Sequence, residues 1–381
     1  MPTSAARHAL LVLSAIALIV ATVVVGRIAG DRRFPVAEQE ASAPLTSASS
    51  ATTTPASTPA AANILSGRFG FVWAPQRGSS PVSVQPETGH GGFELFTQPW
   101  RFSACSCAVS PDGTRVAYWA GSAPGTVELR VVDLGSPGPG AAIYKPPADR
   151  RGTALAWSSD GNGILFSLEG RPNPGDPVGG VTGTSLVAIV ATGGTARTLA
   201  SGDGVYVPLG WDRAGGIAAA GLYGEGGYMT GYITARTNGD PAPRRTEMRD
   251  QTYMGQVQVS ADQRFVLALF GSGQGSTLRW WRLADPDAIV TGPRLEQTPT
   301  WRPQSSQIGW VENGTLQLLD VERGVLTSGG ALPPGRVAFR ADGTAAAVAG
   351  GPSYVLLNIA SGRSAELVSF GYIVGSVRFG P

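Results

Sequence analysis

The sequence predicts an all-β protein: a β-propeller of seven four-stranded blades. Three observations carry this. Gly (53) and Pro (29) are abundant, while charged residues make up only 15% of the 381, the composition of short strands joined by many turns. One apolar-turn-apolar motif recurs down the chain. The two ends of the repeat region complement each other.

The motif is clearest at Val109-Ser-Pro-Asp-Gly113, followed by the apolar run Val116–Trp119. Pro presets φ, Asp bonds nearby backbone and Gly accepts a positive φ, so a tight turn joins two strands. Aligned on the apolar residue before the turn, copies begin at Val109, Trp157, Trp211, Val259, Trp301 and Phe339, at spacings of 48, 54, 48, 42 and 38 residues. Such spacing is that of propeller blades. The aligned turns are Trp157-Ser-Ser-Asp-Gly161, Trp211-Asp-Arg-Ala-Gly215, Val259-Ser-Ala-Asp-Gln263, Trp301-Arg-Pro-Gln-Ser305 and Phe339-Arg-Ala-Asp-Gly343. Asp112, Gly113, Asp160, Gly161, Asp342 and Gly343 are therefore read as turn formers, not as acids.

Each unit holds four strands. In the fifth these are 299–301, 307–312, 315–320 and 325–327, with Asn313-Gly314 as a two-residue hairpin turn. The first unit continues through 126–133 and 141–144, and the last full one through 354–359 and 364–368. Residues 375–380 then read as a lone first strand. The missing three lie at the other end, 68–73, 80–84 and 92–97. A blade shared by both termini closes the ring and hides its edges. The propeller is thus expected over 67–381, one domain of 315 residues, or 45 per blade.

Ahead of it, 1–8 is a short tail. Residues 9–26 form a transmembrane anchor: Ala9–Val25 is a run of 17 uncharged residues, a helix of roughly 26 Å. Poor small-x-small cleavage sites argue for an anchor over a cleaved signal. Residues 27–66, rich in Ser, Thr, Pro and Ala, cannot bury a core and read as an extended linker. Flanking charge (Arg7 against Arg27, Arg32 and Arg33) would place the following domain in the cytoplasm, but long domains translocate regardless. The stalk favours export, so the expectation is a single-pass, membrane-anchored protein with its propeller outside the cytoplasm.

The pattern apolar-x-Trp-Ser-Pro-Asp-Gly-x-x-apolar-Ala, best matched at Val109–Ala117 and Trp157–Phe166, resembles the repeat of TolB-like proteins, the WD40-like PD40 family. The resemblance covers the propeller. It implies envelope interaction modules, sensor or accessory domains, or companions to peptidase domains.

Catalytic signals are sparse. The net charge of +2 leaves no nucleic-acid footprint. A Ser-His-acid triad needs a histidine, and His90, the only one after the linker, sits in a glycine-flanked turn and reads as a solvated loop residue rather than a base. The glycine-rich stretches 221–227 and 271–276 lie between β runs, with no helix to cradle phosphate. No cofactor and no metal site are expected. Cys105 and Cys107, the only cysteines, read as small thiols on one strand face, roughly 6.5–7 Å apart.

Function is therefore sought in the loops joining second to third strands and successive blades. Loops 169–180, 223–229, 145–152 and 245–255 are the longest on that face. Arg and Tyr are the usual interface anchors, and the candidates are Arg150, Arg151, Tyr223, Tyr228, Arg249 and Tyr253. The favoured reading is a non-catalytic module binding an envelope protein or cell-wall glycan. The alternatives are a propeller lyase or hydrolase working at the channel mouth, or a sensor domain of an envelope signalling system.

Overall fold

The computed structural model describes residues 68–74, 81–88, 92–97, 107–121, 126–136, 138–170, 183–202, 204–213, 215–223, 229–238, 243–247, 254–271, 275–350, 353–368 and 372–379. The chain divides into two compact units, Met1–Ala56 and Ser57–Pro381. The first lies wholly outside the described residues, and with it the expected anchor at 9–26. No helix among the described residues is long and apolar enough to cross a membrane.

The second unit holds β1 (Phe69–Ala74), β2 (Pro81–Pro86) and β3 (Phe93–Thr97) first. Blade 1 follows as β4 (Cys107–Val109), β5 (Arg115–Ala120), β6 (Glu128–Asp133) and β7 (Ala141–Tyr144). Blade 2 is β8 (Arg150–Trp157), β9 (Gly163–Gly170), β10 (Thr184–Val190) and β11 (Arg197–Gly202). Blade 3 is β12 (Val205–Asp212), β13 (Ile217–Tyr223), β14 (Met229–Arg236) and β15 (Arg244–Glu247). Blade 4 is β16 (Met254–Val259), β17 (Phe265–Phe270), β18 (Ser276–Arg282) and β19 (Asp285–Leu295). Blade 5 is β20 (Thr300–Trp301), β21 (Gln307–Glu312), β22 (Thr315–Asp320) and β23 (Val325–Ala331). Blade 6 is β24 (Val337–Phe339), β25 (Ala345–Gly350), β26 (Ser353–Asn358) and β27 (Ser364–Val368). The last strand is β28 (Tyr372–Arg378).

Seven four-stranded antiparallel sheets result, and β28 joins β1–β3 as the inner strand of blade 7. Phe69 pairs with Arg378, Val72 with Gly375 and Ala74 with Tyr372. The chain's ends close the ring as the sequence implied. The closing strand starts at Tyr372, three residues before the predicted start, and β23 runs on to Ala331, beyond the predicted 327.

The core is seven separate apolar clusters, one per seam between blades. Strand alternation feeds two seams from each blade. Trp280 packs with Trp301 and Trp310 towards blade 5, while its neighbour Trp281 packs with Tyr232 of blade 3. Both are buried, and the Tyr232 and Trp281 rings stack 5.9 Å apart. The apolar residues before the turns are seam anchors too: Trp157, Trp211, Trp301 and Phe339 are all buried. The Trp157 indole donates to Ala108 O of blade 1 at 2.8 Å.

Two expectations need correction. The four expected loops are not all loop: Arg150, Arg151 and Gly152 belong to β8, where they pair with β9, Glu169 and Gly170 end β9, Tyr223 ends β13, Met229 begins β14, Arg245 to Glu247 lie in β15, and Met254 and Gly255 begin β16. Cys107 is not a free thiol: it is disulfide-bonded, and Cys105 is the only other cysteine in the chain. The strand spacing that argued against a bond assumed both residues in one strand. β4 begins only at Cys107, and Cys105 lies outside the described residues.

Candidate functional site

Successive antiparallel strands fix two faces. The turns between first and second strands share one face with those between third and fourth; the remaining loops share the other. The repeated carboxylates lie on the first face, and each is held by its own turn. Asp112 accepts from Ser110 Oγ (2.5 Å), Thr114 N (3.1 Å) and Thr114 Oγ1 (2.8 Å). Asp160 accepts from Ser158 Oγ (2.6 Å), Asn162 N (3.0 Å) and Arg213 Nη1 of the next blade (3.0 Å). Asp262 accepts from Ser260 Oγ (2.6 Å) and Arg264 N (3.1 Å). Asp342 accepts from Arg340 Nε (2.9 Å) and Thr344 N (3.0 Å). Burial alone would push these carboxyls up, but the hydrogen bonds given to them outweigh it. Asp112, Asp262 and Asp342 fall below the ordinary carboxylate value, and Asp160 falls to about 2. They are ionised acceptors committed to backbone geometry.

The fourth turn position demands a left-handed backbone: φ is 74° at Gly113, 68° at Gly161 and 69° at Gly343. Gln263 (59°) holds it without being glycine; in blade 5 the positive φ falls one residue earlier, at Gln304 (55°), which aligns with the Asp of the other turns. In blade 3 the turn closes one residue later than the repeat alignment placed it. Gly216, not Gly215, carries the positive φ (67°), and Gly215 N instead donates to Asp212 Oδ1 at 2.9 Å.

The same turns tie neighbouring blades together. Arg115 Nη2 donates to Gly161 O (2.6 Å), Arg302 Nε to Gly343 O (2.7 Å), and Arg378 N to Gly113 O (2.7 Å). Between blades 6 and 7, Arg340 reaches Glu87 at 3.5 Å. It also bonds Thr344 and lies 4.7 Å from the Phe69 ring centre. Glu87 is fully buried. Sequence reasoning missed this pair, because a lone Glu after β2, an interior strand of blade 7, carries no repeat signal.

On the same face lies a polar hollow of about 430 Å³ between blades 5 and 6, which the sequence did not reveal. Arg302, Gln304, Asp320, Glu322, Arg323 and Asp342 are among its lining residues. Its charges are already engaged. Asp320 accepts from Ser306 Oγ (2.9 Å). Glu322 takes a two-armed Arg264 fork (3.1 and 3.3 Å) and Arg282 (3.3 Å). Among the described residues, no group of three His, Cys, Asp or Glu side chains is placed to hold a metal ion.

The opposite face carries the predicted site residues. Arg150 Nη1 donates to Gly183 O at 2.6 Å. Arg151 donates to the buried Glu169 Oε2 from Nε (3.0 Å) and Nη2 (2.8 Å). These bonds fasten both stems of the stretch 171–182 to the first strand of blade 2. Tyr223 ends β13 and packs, half-buried, against the seam with blade 4. The three described candidates therefore share a face, on strand ends rather than loop tips. Tyr228, Arg249, Tyr253 and His90 lie outside the described residues.

No protein-family model matches the chain, and no similar curated protein was found. Many solved structures share the fold. An oligogalacturonate lyase in complex with manganese is 10% identical, with 75% of this chain and 81% of that one covered at a TM-score of 0.52. A puromycin-hydrolysing peptidase from Mycobacterium tuberculosis is 18% identical over 83% of this chain and 56% of its own, at 0.51. TolB from Acinetobacter baumannii is 13% identical over 82% and 66%, at 0.44. At such identities the likeness is one of fold. The chain is a seven-bladed β-propeller, consistent with the TolB-like repeat that its turns resemble.

Proposed function

We propose that this protein is a membrane-tethered, non-catalytic propeller that binds a protein or a cell-wall glycan at the cell envelope. The observation that carries the reading is the fate of the repeated carboxylates. They are the acidic groups the fold supplies most regularly, and each is an ionised turn acceptor rather than a free acid or base. The disulfide at Cys107 supports an oxidising compartment, in keeping with export behind the apolar run at 9–26. Binding falls to the face whose loops escape the repeat, with Arg150, Arg151 and Tyr223 at the loop stems and Tyr228, Arg249 and Tyr253 within the loops. Arg150 and Arg151 hold Gly183 and Glu169, and their remaining donors and the tyrosines offer contacts.

Affinity capture from membranes tests this. The full chain should recover a partner that chains lacking 171–180 and 224–228 lose. Equal recovery from both would refute the assignment of the face. Protease added to intact cells should cut the propeller from its tether if it lies outside the cytoplasm.

A further inference from the structure

The chain holds three Asn-Gly pairs, Asn162-Gly163, Asn238-Gly239 and Asn313-Gly314. Asn238-Gly239 runs out of the described residues, and the other two are held in opposite ways. Asn162-Gly163 closes a blade turn and is bonded throughout. Asn162 N donates to Asp160 Oδ1 (3.0 Å), and its side-chain Nδ2 donates to Asp160 Oδ2 (3.4 Å). Gly163 N donates to Ser158 Oγ (2.7 Å), and Ala191 N donates to Asn162 O (2.9 Å). Asn313-Gly314 is instead the exposed tip between β21 and β22, where Glu312 pairs with Thr315. Leu332 N donates to Gly314 O at 3.0 Å. Among the described residues, neither the Asn313 side-chain amide nor Gly314 N has a hydrogen-bond partner. The space around Gly314 is open: a Cβ there would meet only Leu332 O, 4.0 Å away. Asn313 itself stands in the left-handed region, at φ 50°.

We propose that Asn313-Gly314 is a self-modification site, at which the Asn313 amide is converted to a carboxylate through a cyclic imide. Gly314 N loses its proton to hydroxide and bonds to Asn313 Cγ, and the side-chain nitrogen leaves as ammonia. A five-membered succinimide remains. Water opens it at either carbonyl. One opening leaves an aspartate, the other an isoaspartate whose main chain runs on through Cβ. Ring closure needs the tip to turn out of its left-handed backbone. Little opposes this: one hairpin pair and the Leu332 bond hold the tip, and the turn sheds the strain of a non-glycine residue at positive φ. At Asn162 the same closure needs Gly163 N to leave Ser158 Oγ and the amide to leave Asp160. Asn-Gly suits a two-residue hairpin for its backbone, and the same lack of a Cβ at glycine leaves the attacking nitrogen unobstructed. The new carboxylate stands on the face that carries Arg150 and Arg151, since this tip joins a second strand to a third. The isoaspartyl form also lengthens a turn whose register sets Glu312 against Thr315.

The test uses the full chain, purified in detergent and kept folded in mildly alkaline buffer, with its tryptic peptides followed by mass over days. The peptide 295–323, which carries Asn313, should gain the mass of an amide-to-carboxyl exchange several-fold faster than the peptide that carries Asn162. Once isolated, the altered peptide should accept a methyl group from an isoaspartate methyltransferase. In denaturant the two pairs should react at similar rates, which assigns the difference to structure. Asn313→Gly fits the left-handed position and should abolish the gain in its peptide. No gain at Asn313, equal rates at the two pairs in the folded chain, an altered peptide that accepts no methyl group, the same rate ratio in denaturant, or a gain that persists in Asn313→Gly would each overturn the proposal.

Discussion

At the scale of single residues, a turn residue held in the left-handed region sets a measurable cost. Gln304 is exposed and held at φ 55°, with no buried contact to offset the strain. Gln304→Gly should therefore raise stability by about 0.5–1 kcal/mol in denaturant unfolding. Gly113→Ala should do the reverse by about 1–3 kcal/mol. Its new Cβ would meet Ala341 Cβ and Arg378 N, each at 3.1 Å, at a φ of 74°. Asp160 governs an acid response. Its folded pKa of about 2 lies below the ordinary 3.8. The stability it contributes is thus complete above about pH 4 and disappears as the pH falls towards 2. Thermal melts between pH 5 and pH 2 should show a shallower acid decline for Asp160→Asn than for the parent chain. Asp160's partial exposure keeps the effect small.

At the scale of the element, the blade is legible wherever one residue serves both strand and seam. Trp157, Trp211, Trp301 and Phe339 announce themselves in the sequence because a seam needs a large apolar anchor just before its turn. Gly215 was placed where Gly216 serves because Trp211-Asp-Arg-Ala-Gly-Gly lets the turn close one residue late without moving that anchor. The Arg340–Glu87 contact was illegible for another reason. It joins blades 6 and 7 through residues far apart in the chain, and Arg340 occupies a turn position where Ser110, Ser158 and Ser260 stand elsewhere. Arg340→Ala leaves Glu87 buried without its guanidinium and should cost about 3–5 kcal/mol in equilibrium unfolding. Arg282→Ala, in the exposed Glu322 network, should cost under about 1 kcal/mol. Similar costs for the two would contradict the distinction drawn between them.

At the scale of the whole molecule, ring closure was readable because the two ends are complementary fragments of one blade. The binding face was not readable to the same degree. Its stems, Arg150 and Arg151, were recognised by residue type but taken for loop residues, since an Arg-Arg pair fits a strand end as well as a loop. Loop residues obey no period, so Tyr228, Arg249 and Tyr253 were singled out on chemistry alone. Closure itself is testable. Deleting 372–381 removes the inner strand of blade 7 and bares the seam where Val377 packs with Val72 and Val116. The shortened chain should lose its single cooperative unfolding transition, while the parent keeps it; matching transitions would mean that β28 is dispensable.

The pairing of Phe69 with Arg378 also sets a timetable for biosynthesis. The first three strands of the propeller leave the ribosome long before their inner neighbour exists, since synthesis adds about 5–20 residues each second. For that interval the edge of β1 that β28 will cover is open. A chain stalled anywhere before residue 372 presents the same bare edge. The strand that seals the finished ring is thus also the last one made.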